Sequence, residues 1–336
     1  MNRTRFQQIA GHYSRLRLAV IGDYCLDRYL EIDPSLSETS IETGLPVYNV
    51  TRVRSQPGAA GTVLNNLAAL GIGEVHAVGF CGQDGEGYEL RHALSNLPGI
   101  RMEHFLSTPD RRTFTYCKPL VMEHEAAPRE LNRLDSKNWS ATPESVVKQI
   151  VASVKSLSDE VDAVIVTDQV DTVDTGVLTH DVIKTLAHFP SSIPVVADSR
   201  RGLSGYPPVI FKMNLAELAE VMCEVELRTI EQIKVAAGQL ASRNGRDVII
   251  TLAERGLIGA APNGDAVHMV ALPVRGDIDV VGAGDCVLAN TTVALACGAS
   301  LAEALDIAAA ASSIVIHQLG TTGTATISQI ETSMFP

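Results

Sequence analysis

Asp279-Val-Val-Gly-Ala-Gly-Asp285, followed at once by the apolar, helix-spaced run that begins at Cys286, is the stretch on which the reading of this chain turns. Glycines at 282 and 284 remove side chains, so peptide N–H groups can close on an anion. The helix predicted over 284–297 adds its positive N-terminal end. Asp285 falls in the first turn of that helix, beside the anion site. A carboxylate there can take a proton from an attacking hydroxyl. The amides of Ala283, Gly284 and Asp285 would then stabilise charge on a transferring phosphoryl group. The alternative is a plain glycine-rich turn with Asp285 as a helix cap. The stretch is not a P-loop, because no Gly-Lys-Ser/Thr follows, and it lacks the G-x-G-x-x-G spacing of a dinucleotide-binding turn.

Upstream of it, strands and helices alternate. Leu18-Ala-Val-Ile-Gly22 is a continuous apolar run, as in a parallel strand covered on both faces. Helices are predicted over 61–70, 87–97, 143–157, 175–187, 215–223, 230–243 and 301–318, and strands over 75–79, 163–167, 194–198 and 247–252. That rhythm implies βαβ units and a mostly parallel sheet. Three stretches break it: 28–32, 47–53 and 113–120 alternate apolar with polar side chains, as strands with one solvated face do. They are too few for a core of their own. They predict a small projecting sheet, its strands within about 28–56 and 104–121, where a lid would lie. A lid matters in phosphoryl transfer because an open site exposes the phosphate to water. No repeat and no Pro/Gly/Ser linker divides the chain, so residues 1–336 read as a single domain.

With 27 Lys+Arg against 39 Asp+Glu, the net charge is −12 and no basic run stands out. Nucleic acid and an anionic membrane are therefore not expected as partners, while a small anionic substrate remains open. Residues 1–18 carry Arg3, Arg5, Arg15 and Arg17 but no apolar stretch of signal-peptide length, and no apolar run reads as a membrane span. The expected compartment is the cytoplasm. Cys25, Cys81, Cys117, Cys223, Cys286 and Cys297 show no C-x-x-C spacing and read as reduced, mostly buried thiols. His124, His268 and His317 lack metal-ligand spacing, and Met213, Met222 and Met269 read as core filler. Arg28, Arg52, Arg54, Arg111 and Arg112 fall in or near the projecting strands, where a solvated sheet face and a sugar-phosphate clamp both account for them.

The 279–285 stretch resembles the second signature of the ribokinase-like (PfkB) carbohydrate kinase family, and further blocks match in the expected order. Gly22-Asp-Tyr-Cys-Leu-Asp27 is similar to the opening strand-end motif. Pro57–Gly71 is similar to the first signature and Gly79–Gly87 to the G-x-D-x-x-G block. Lys212-Met-Asn-Leu-Ala-Glu217 and Thr251-Leu-Ala-Glu-Arg-Gly256 resemble the N-x-x-E and nucleotide-side blocks. Within the family the pattern comes nearest the heptose-phosphate kinase domain of the bacterial ADP-heptose pathway, through Gly22–Tyr29, Gln56–Val63 and Arg133-Leu-Asp135.

The resemblance implies a ribokinase-like three-layer α/β/α sandwich with a β-sheet lid, using ATP and Mg²⁺. It assigns the catalytic site to Gly282, Ala283, Gly284 and Asp285, with Asp285 as general base. Acceptor binding falls to Asp27, Gly58, Ala59, Thr62 and Asn66, and nucleotide binding to Asn214, Glu217, Thr251, Glu254 and Gly256. Asn214 and Glu217 would also hold Mg²⁺ through water, and Asp279 would sit beside a monovalent cation, K⁺. For Asn214 with Glu217, a helix-capping pair is the alternative reading of the three-residue spacing.

Three departures from the family pattern stand out. Ala59 replaces the second glycine of the first signature, Thr62 replaces the asparagine that follows, and Ile307-Ala-Ala-Ala-Ala311 lacks the adenine-side asparagine, which predicts a more apolar base pocket. The reading is an ATP-dependent phosphotransferase acting on a hydroxyl of a sugar or sugar phosphate. One rival is a nucleoside or other alcohol kinase of the same superfamily, opposed by an aromatic content of only 4%. Another is a sugar- or nucleotide-sensing protein without turnover, opposed by the intact Gly282, Gly284 and Asp285. A Rossmann-type oxidoreductase lacks its glycine spacing after the first strand. Open strand edges and an exposed apolar face on the lid predict a homodimer packed through it.

Overall fold

The computed structural model describes residues 1–123, 127–223 and 227–336; His124 lies outside the described residues. After helix α1 (Arg3–Ala10), the apolar run at 18–21 forms β1 (Arg17–Gly22), and the chain passes into β2 (Tyr24–Ile32). The hairpin β3 (Glu38–Thr39) and β4 (Pro46–Val47) precedes β5 (Val50–Ala59), α2 (Ala60–Ala69), β6 (Glu74–Gly82) and α3 (Gly85–Ser95). Next come β7 (Ile100–Arg101), β8 (Phe105–Thr108), β9 (Phe114–Val121), β10 (Arg129–Glu130) and β11 (Leu134–Ser136). From α4 (Glu144–Ser156) the alternation is regular: β12 (Ala163–Asp168), α5 (His180–Thr185), β13 (Val195–Ser199), β14 (Ile210–Asn214), α6 (Leu215–Met222), α7 (Ile230–Asn244) and β15 (Val248–Thr251). The strands β16 (Leu257–Ala260) and β17 (Ala266–Met269) and helices α8 (Ala283–Ala296), α9 (Leu301–Val315) and α10 (Ile327–Met334) complete it.

Ten strands form the main sheet in the order β17-β16-β15-β14-β13-β12-β1-β6-β7, with β8 also on β6. Every pairing from β15 to β8 is parallel, and the β15-β16-β17 edge is antiparallel. The strand period of two divides β1 between two cores. Leu18 and Val20 join one with Leu64, Leu67, Leu288 and Leu305, while Ala19 and Ile21 join the other with Val146, Ile150, Ile233 and Leu240. Helices thus cover both faces of a mostly parallel sheet, the architecture that the resemblance implied. A separate five-stranded sheet, β10-β9-β2-β5 with β11 on β9, is built from the alternating stretches.

The predicted helix over 175–187 begins only at His180, because the backbone before it is spent elsewhere. The Asp23 carboxylate accepts the Gln169 and Val177 amides at 2.9 and 2.7 Å, and the Thr142 hydroxyl donates to the Gly176 carbonyl at 2.7 Å. Arg111 completes the fastening, its guanidinium donating to the carbonyls of Ser140, Ala141 and Thr175. Neither a solvated sheet face nor a phosphate clamp describes it: Arg111 is buried, and both its terminal nitrogens donate to backbone carbonyls. The antiparallel edge β16–β17 had no counterpart in the sequence reading. The six cysteines are unpaired thiols, with Cys25, Cys81 and Cys286 buried. Among the described residues, no helix is long and apolar enough to cross a membrane.

Replacing Arg111 by leucine would remove the donors to three carbonyls, that of the buried Thr175 among them. Arg111→Leu is expected to cost about 2–4 kcal/mol in urea unfolding. A loss below about 1 kcal/mol would show that the 169–177 segment does not depend on it.

Candidate active site

Lys212 is a lone charged residue inside the apolar strand β14, and its position organises the site. Its Nζ lies 2.6 Å from Asp198 Oδ2 at the end of β13 and 3.0 Å from where a Cβ on Gly284 would stand. The ammonium therefore sits over the turn that opens α8. Burial works against its charge, but Asp198, with Asp285 and Glu217 beyond it, outweighs burial and leaves Lys212 above the ordinary lysine value. The sequence reading passed over Lys212 and Asp198. A single lysine within Val-Ile-Phe-Lys-Met, a run otherwise fit for a sheet interior, was the available signal.

The turn itself has Gly282 as the helix cap with φ 81°, a backbone state suited to glycine. Of the three amides assigned to the anion hole, that of Ala283 donates to the Val280 carbonyl at 3.2 Å. Those of Gly284 and Asp285 are first-turn donors, for which the helix supplies no acceptor. Burial pushes the Asp285 carboxyl up to about 7; Lys212 and Arg200 pull against that shift, and Asp198 and Asp27 add to it. Cys286 is fully buried and its thiol is pushed up to about 12, which suits packing and not nucleophilic chemistry.

Asp27 lies on β2, where a Cβ on Gly58 of β5 would stand 2.5 Å from Asp27 Oδ2 and 2.7 Å from Cys25 Sγ. Only glycine leaves room there for the carboxylate. Burial raises the Asp27 pKa, and Lys118, Arg133 and Arg200 oppose it. The Lys118 ammonium stands 3.8 Å from Asp27 Oδ1 and over the Tyr29 ring, while Arg133 stacks over Tyr116. Of these cations only Arg133, in the Arg133-Leu-Asp135 motif, was singled out in the sequence, and the arginines near the lid strands have other partners. Arg28 pairs with Glu86 and Glu89, and Arg52 and Arg54 pair with Glu31. Arg112 exchanges backbone hydrogen bonds with Asn138.

Ala59 follows Gly58 with φ 54° and ψ −122°, a region that fits glycine far better than alanine. The methyl of Thr62 lies 3.4 Å from where a Gly282 Cβ would stand, so the acceptor-side helix α2 touches the turn of α8. Asn66 is buried one helical turn further on; its Nδ2 donates to the Thr62 carbonyl and its Oδ1 has no partner. No hydrogen bond joins Asn66 to Asp27 among the described residues.

On the other side of the α8 turn, Asn214, Thr251, Glu254, Gly256, Ala283 and Gly284 line one cavity of about 610 Å³. Its walls include Leu257, Val287, Ala309 and Ile316, and no aromatic ring, in line with the apolar base pocket expected from the missing asparagine. Asn214 and Glu217 form a reciprocal capping box, at 3.0 Å to the Glu217 amide and 2.7 Å to the Asn214 amide. Burial and the neighbouring Asp198 raise the Glu217 carboxyl, with Lys212 opposing. A cation near the pair would relieve that crowding. Among the described residues no group of three or more His, Cys, Asp or Glu side chains could hold a metal alone. The donor set therefore fits a hydrated Mg²⁺ that arrives with nucleotide phosphates. Asp279 accepts the Val281 amide at 3.0 Å and the Gly320 amide at 3.3 Å, and its own amide donates to the Ile316 carbonyl at 2.8 Å.

A parallel sheet that delivers a buried lysine and a carboxylate to a glycine turn, beside a nucleotide-sized apolar cavity, has the parts of a sugar kinase. The sequence pattern of the pfkB family of carbohydrate kinases matches residues 17–327, and the chain belongs to that family. It is 32% identical over 309 residues to the Bifunctional protein HldE of Azorhizobium caulinodans, a match covering 90% of this chain and 61% of that protein. The chain thus spans about three fifths of the length of the curated relatives it matches. Phosphofructokinase-2 from Escherichia coli, solved in complex with potassium, superposes with a TM-score of 0.74 at 19% identity, covering 95% of this chain and 98% of that one. Ribokinase of Arabidopsis thaliana, complexed with ribose and ATP, gives 0.68 at 19% identity, covering 96% and 99%. Both show the same fold.

The Ala59 backbone carries the testable consequence. A non-glycine residue in that region costs about 1–3 kcal/mol, of which the extra freedom of glycine in the unfolded chain returns at most about 1. Ala59→Gly is therefore expected to raise stability by about 1 kcal/mol in a urea melt. A loss of stability would mean that the strain is absent.

Proposed function

We propose that residues 1–336 act as one kinase domain that transfers the γ-phosphoryl group of ATP to a hydroxyl of a sugar phosphate, or of the corresponding free sugar. The observation that carries this reading is the Asp285 carboxyl, poised near neutrality in the first turn of α8 beside the buried Lys212 ammonium. The acceptor oxygen forms its bond to the γ-phosphorus as the bond from that phosphorus to the bridging oxygen of ADP breaks. The acceptor proton passes to Asp285, whose raised pKa makes it a competent base at physiological pH. Negative charge on the transferring group is met by the Gly284 and Asp285 amides, the α8 dipole and Lys212. Asn214 and Glu217 would hold Mg²⁺ through water, and the ion would supply charge neutralisation to the phosphates. A monovalent cation beside Asp279 belongs to the same proposal, since each carboxylate oxygen accepts one amide and keeps lone pairs free.

Asp27 is the group proposed to grip the acceptor hydroxyls, with the five-stranded sheet as the lid over it. Lys118, Arg133 and Arg200 around Asp27 favour an acceptor that already carries a phosphate. The lid also supports a dimer: Leu36, Ile41, Leu45, Tyr48, Val50 and Val53 are exposed apolar side chains within one short stretch.

Asp285→Asn keeps the size of the side chain and removes the basic oxygen. Turnover is expected to fall at least about 10²-fold with ATP binding retained, because general-base assistance is worth about 10²–10⁴ and the amides survive. The base must be ionised, so kcat/KM of the parent should fall tenfold per pH unit below about 7 and level off above it. Turnover within a few-fold of the parent would remove Asp285 from the mechanism. In a panel of sugars, sugar phosphates and nucleosides read by ADP release, sugar phosphates should give the highest kcat/KM. A nucleoside in first place would move the chain to another substrate class.

Light scattering at micromolar concentration is expected to give the mass of a homodimer, and Ile41→Arg that of a monomer. A monomeric parent with full activity would sink the proposed lid interface.

A further inference from the structure

Between β17 and α8 the chain runs as an irregular strap, 270–282, along the nucleotide cavity. Leu272, Val274 and Ile278 of the strap line that cavity while remaining exposed, so the strap presents apolar side chains that only an occupant would cover. Among the described residues, one hydrogen bond ties the stretch 270–278 to the rest of the fold. The Arg275 amide donates to His317 Nε2 at 3.0 Å. The other ring nitrogen, Nδ1, lies 2.6 Å from the Ser313 carbonyl on α9, whose Ser312 and Ser313 form another part of the cavity wall. An amide N–H can only donate and a carbonyl can only accept, so the ring is neutral with its proton on Nδ1. One imidazole thus bridges the two parts of the wall, as acceptor from one and donor to the other.

We propose that His317 is a positioning residue for the nucleotide: it fixes the strap against α9 so that both parts of the cavity wall stand ready before the base arrives. This rests on the reading of the cavity as the nucleotide site. The physical ground is preorganisation. A strap without that bond samples many conformations, and binding then has to order it, at a cost to affinity. The effect belongs to ATP affinity and not to the phosphoryl-transfer step, since among the described residues the His317 ring bonds only to Arg275 and Ser313, not to Asp285, Lys212 or Asp198.

The test compares three variants of the full chain by calorimetric titration with MgATP, alongside a thermal melt without ligand. His317→Phe keeps the ring and loses both nitrogens; His317→Ala serves as a second variant should the phenylalanine misfold. His317→Gln carries a donor and an acceptor on one planar amide and can restore both bonds. The Phe and Ala variants are expected to bind MgATP about 5–10-fold more weakly, the worth of a lost hydrogen bond, with melting temperatures near the parent. Gln should recover to within about two-fold of the parent. Phe binding as tightly as the parent, Gln binding as weakly as Phe, or a weakened affinity that follows a lowered melting temperature would each overturn the proposal. A parent that binds no MgATP would instead overturn the reading of the cavity, and the inference with it.

Discussion

A buried ammonium surrounded by acids is the constraint on which the rest of this structure depends. Lys212 stands between Asp198, Asp285 and Glu217, and none of these groups is at ease alone. Without the lysine, three carboxyls would crowd a low-dielectric turn; without Asp198, a charged amine would be stranded in a sheet interior. Their mutual neutralisation keeps Asp285 near neutrality, where it can exchange a proton, and not locked as a neutral acid. The same charges leave room for an anionic ligand, because one ammonium and a helix N-terminus face the turn at Gly284.

Parallel topology explains why these groups meet at all. Parallel strands deliver their carboxyl ends to one edge of the sheet, and side chains there converge without any loop having to reach. Asp168 ends β12, Asp198 is the last residue but one of β13, Asn214 ends β14 two residues after Lys212, and Thr251 ends β15. From the same edge β1 passes straight into β2, which carries Asp27 onto the second sheet. The junction is costly in polar groups, and Asp23 answers that cost by accepting two amides from the 169–177 segment. Stability and function are concentrated on the same edge, so the residues that hold the loops stand next to those proposed for chemistry.

The helices and central strands were legible in the sequence because burial on both faces leaves an unmistakable apolar run, as in Leu18–Ile21. The α8 turn was legible because two glycines and an aspartate at fixed spacing restrict the backbone before any packing is considered. The late start of α5 was not, since it depends on hydrogen bonds to Asp23 and from Arg111 and Thr142 that join segments far apart in the chain. Nor, apart from Arg133 in its Arg133-Leu-Asp135 motif, were the cations around Asp27. Arginines near the lid strands attracted the reading, yet most found acidic partners of their own, and Lys118, Arg133 and Arg200 took the places beside the carboxylate.

By itself, then, the sequence determined the fold class, the order of the motifs, the glycine turn at 282–284 and the identity of Asp285 as the group to watch. The motif order follows from the family resemblance, and the rest from local rules: periodicity, backbone freedom and the chemistry of each side chain. Only the tertiary structure decided that Lys212 rests on that turn, that the Asn66 amide donates to the Thr62 carbonyl and that Ala59 occupies a glycine's backbone state. Those outcomes are set by which strands become neighbours across the sheet, and neighbourhood in a parallel sheet is not written in any one segment.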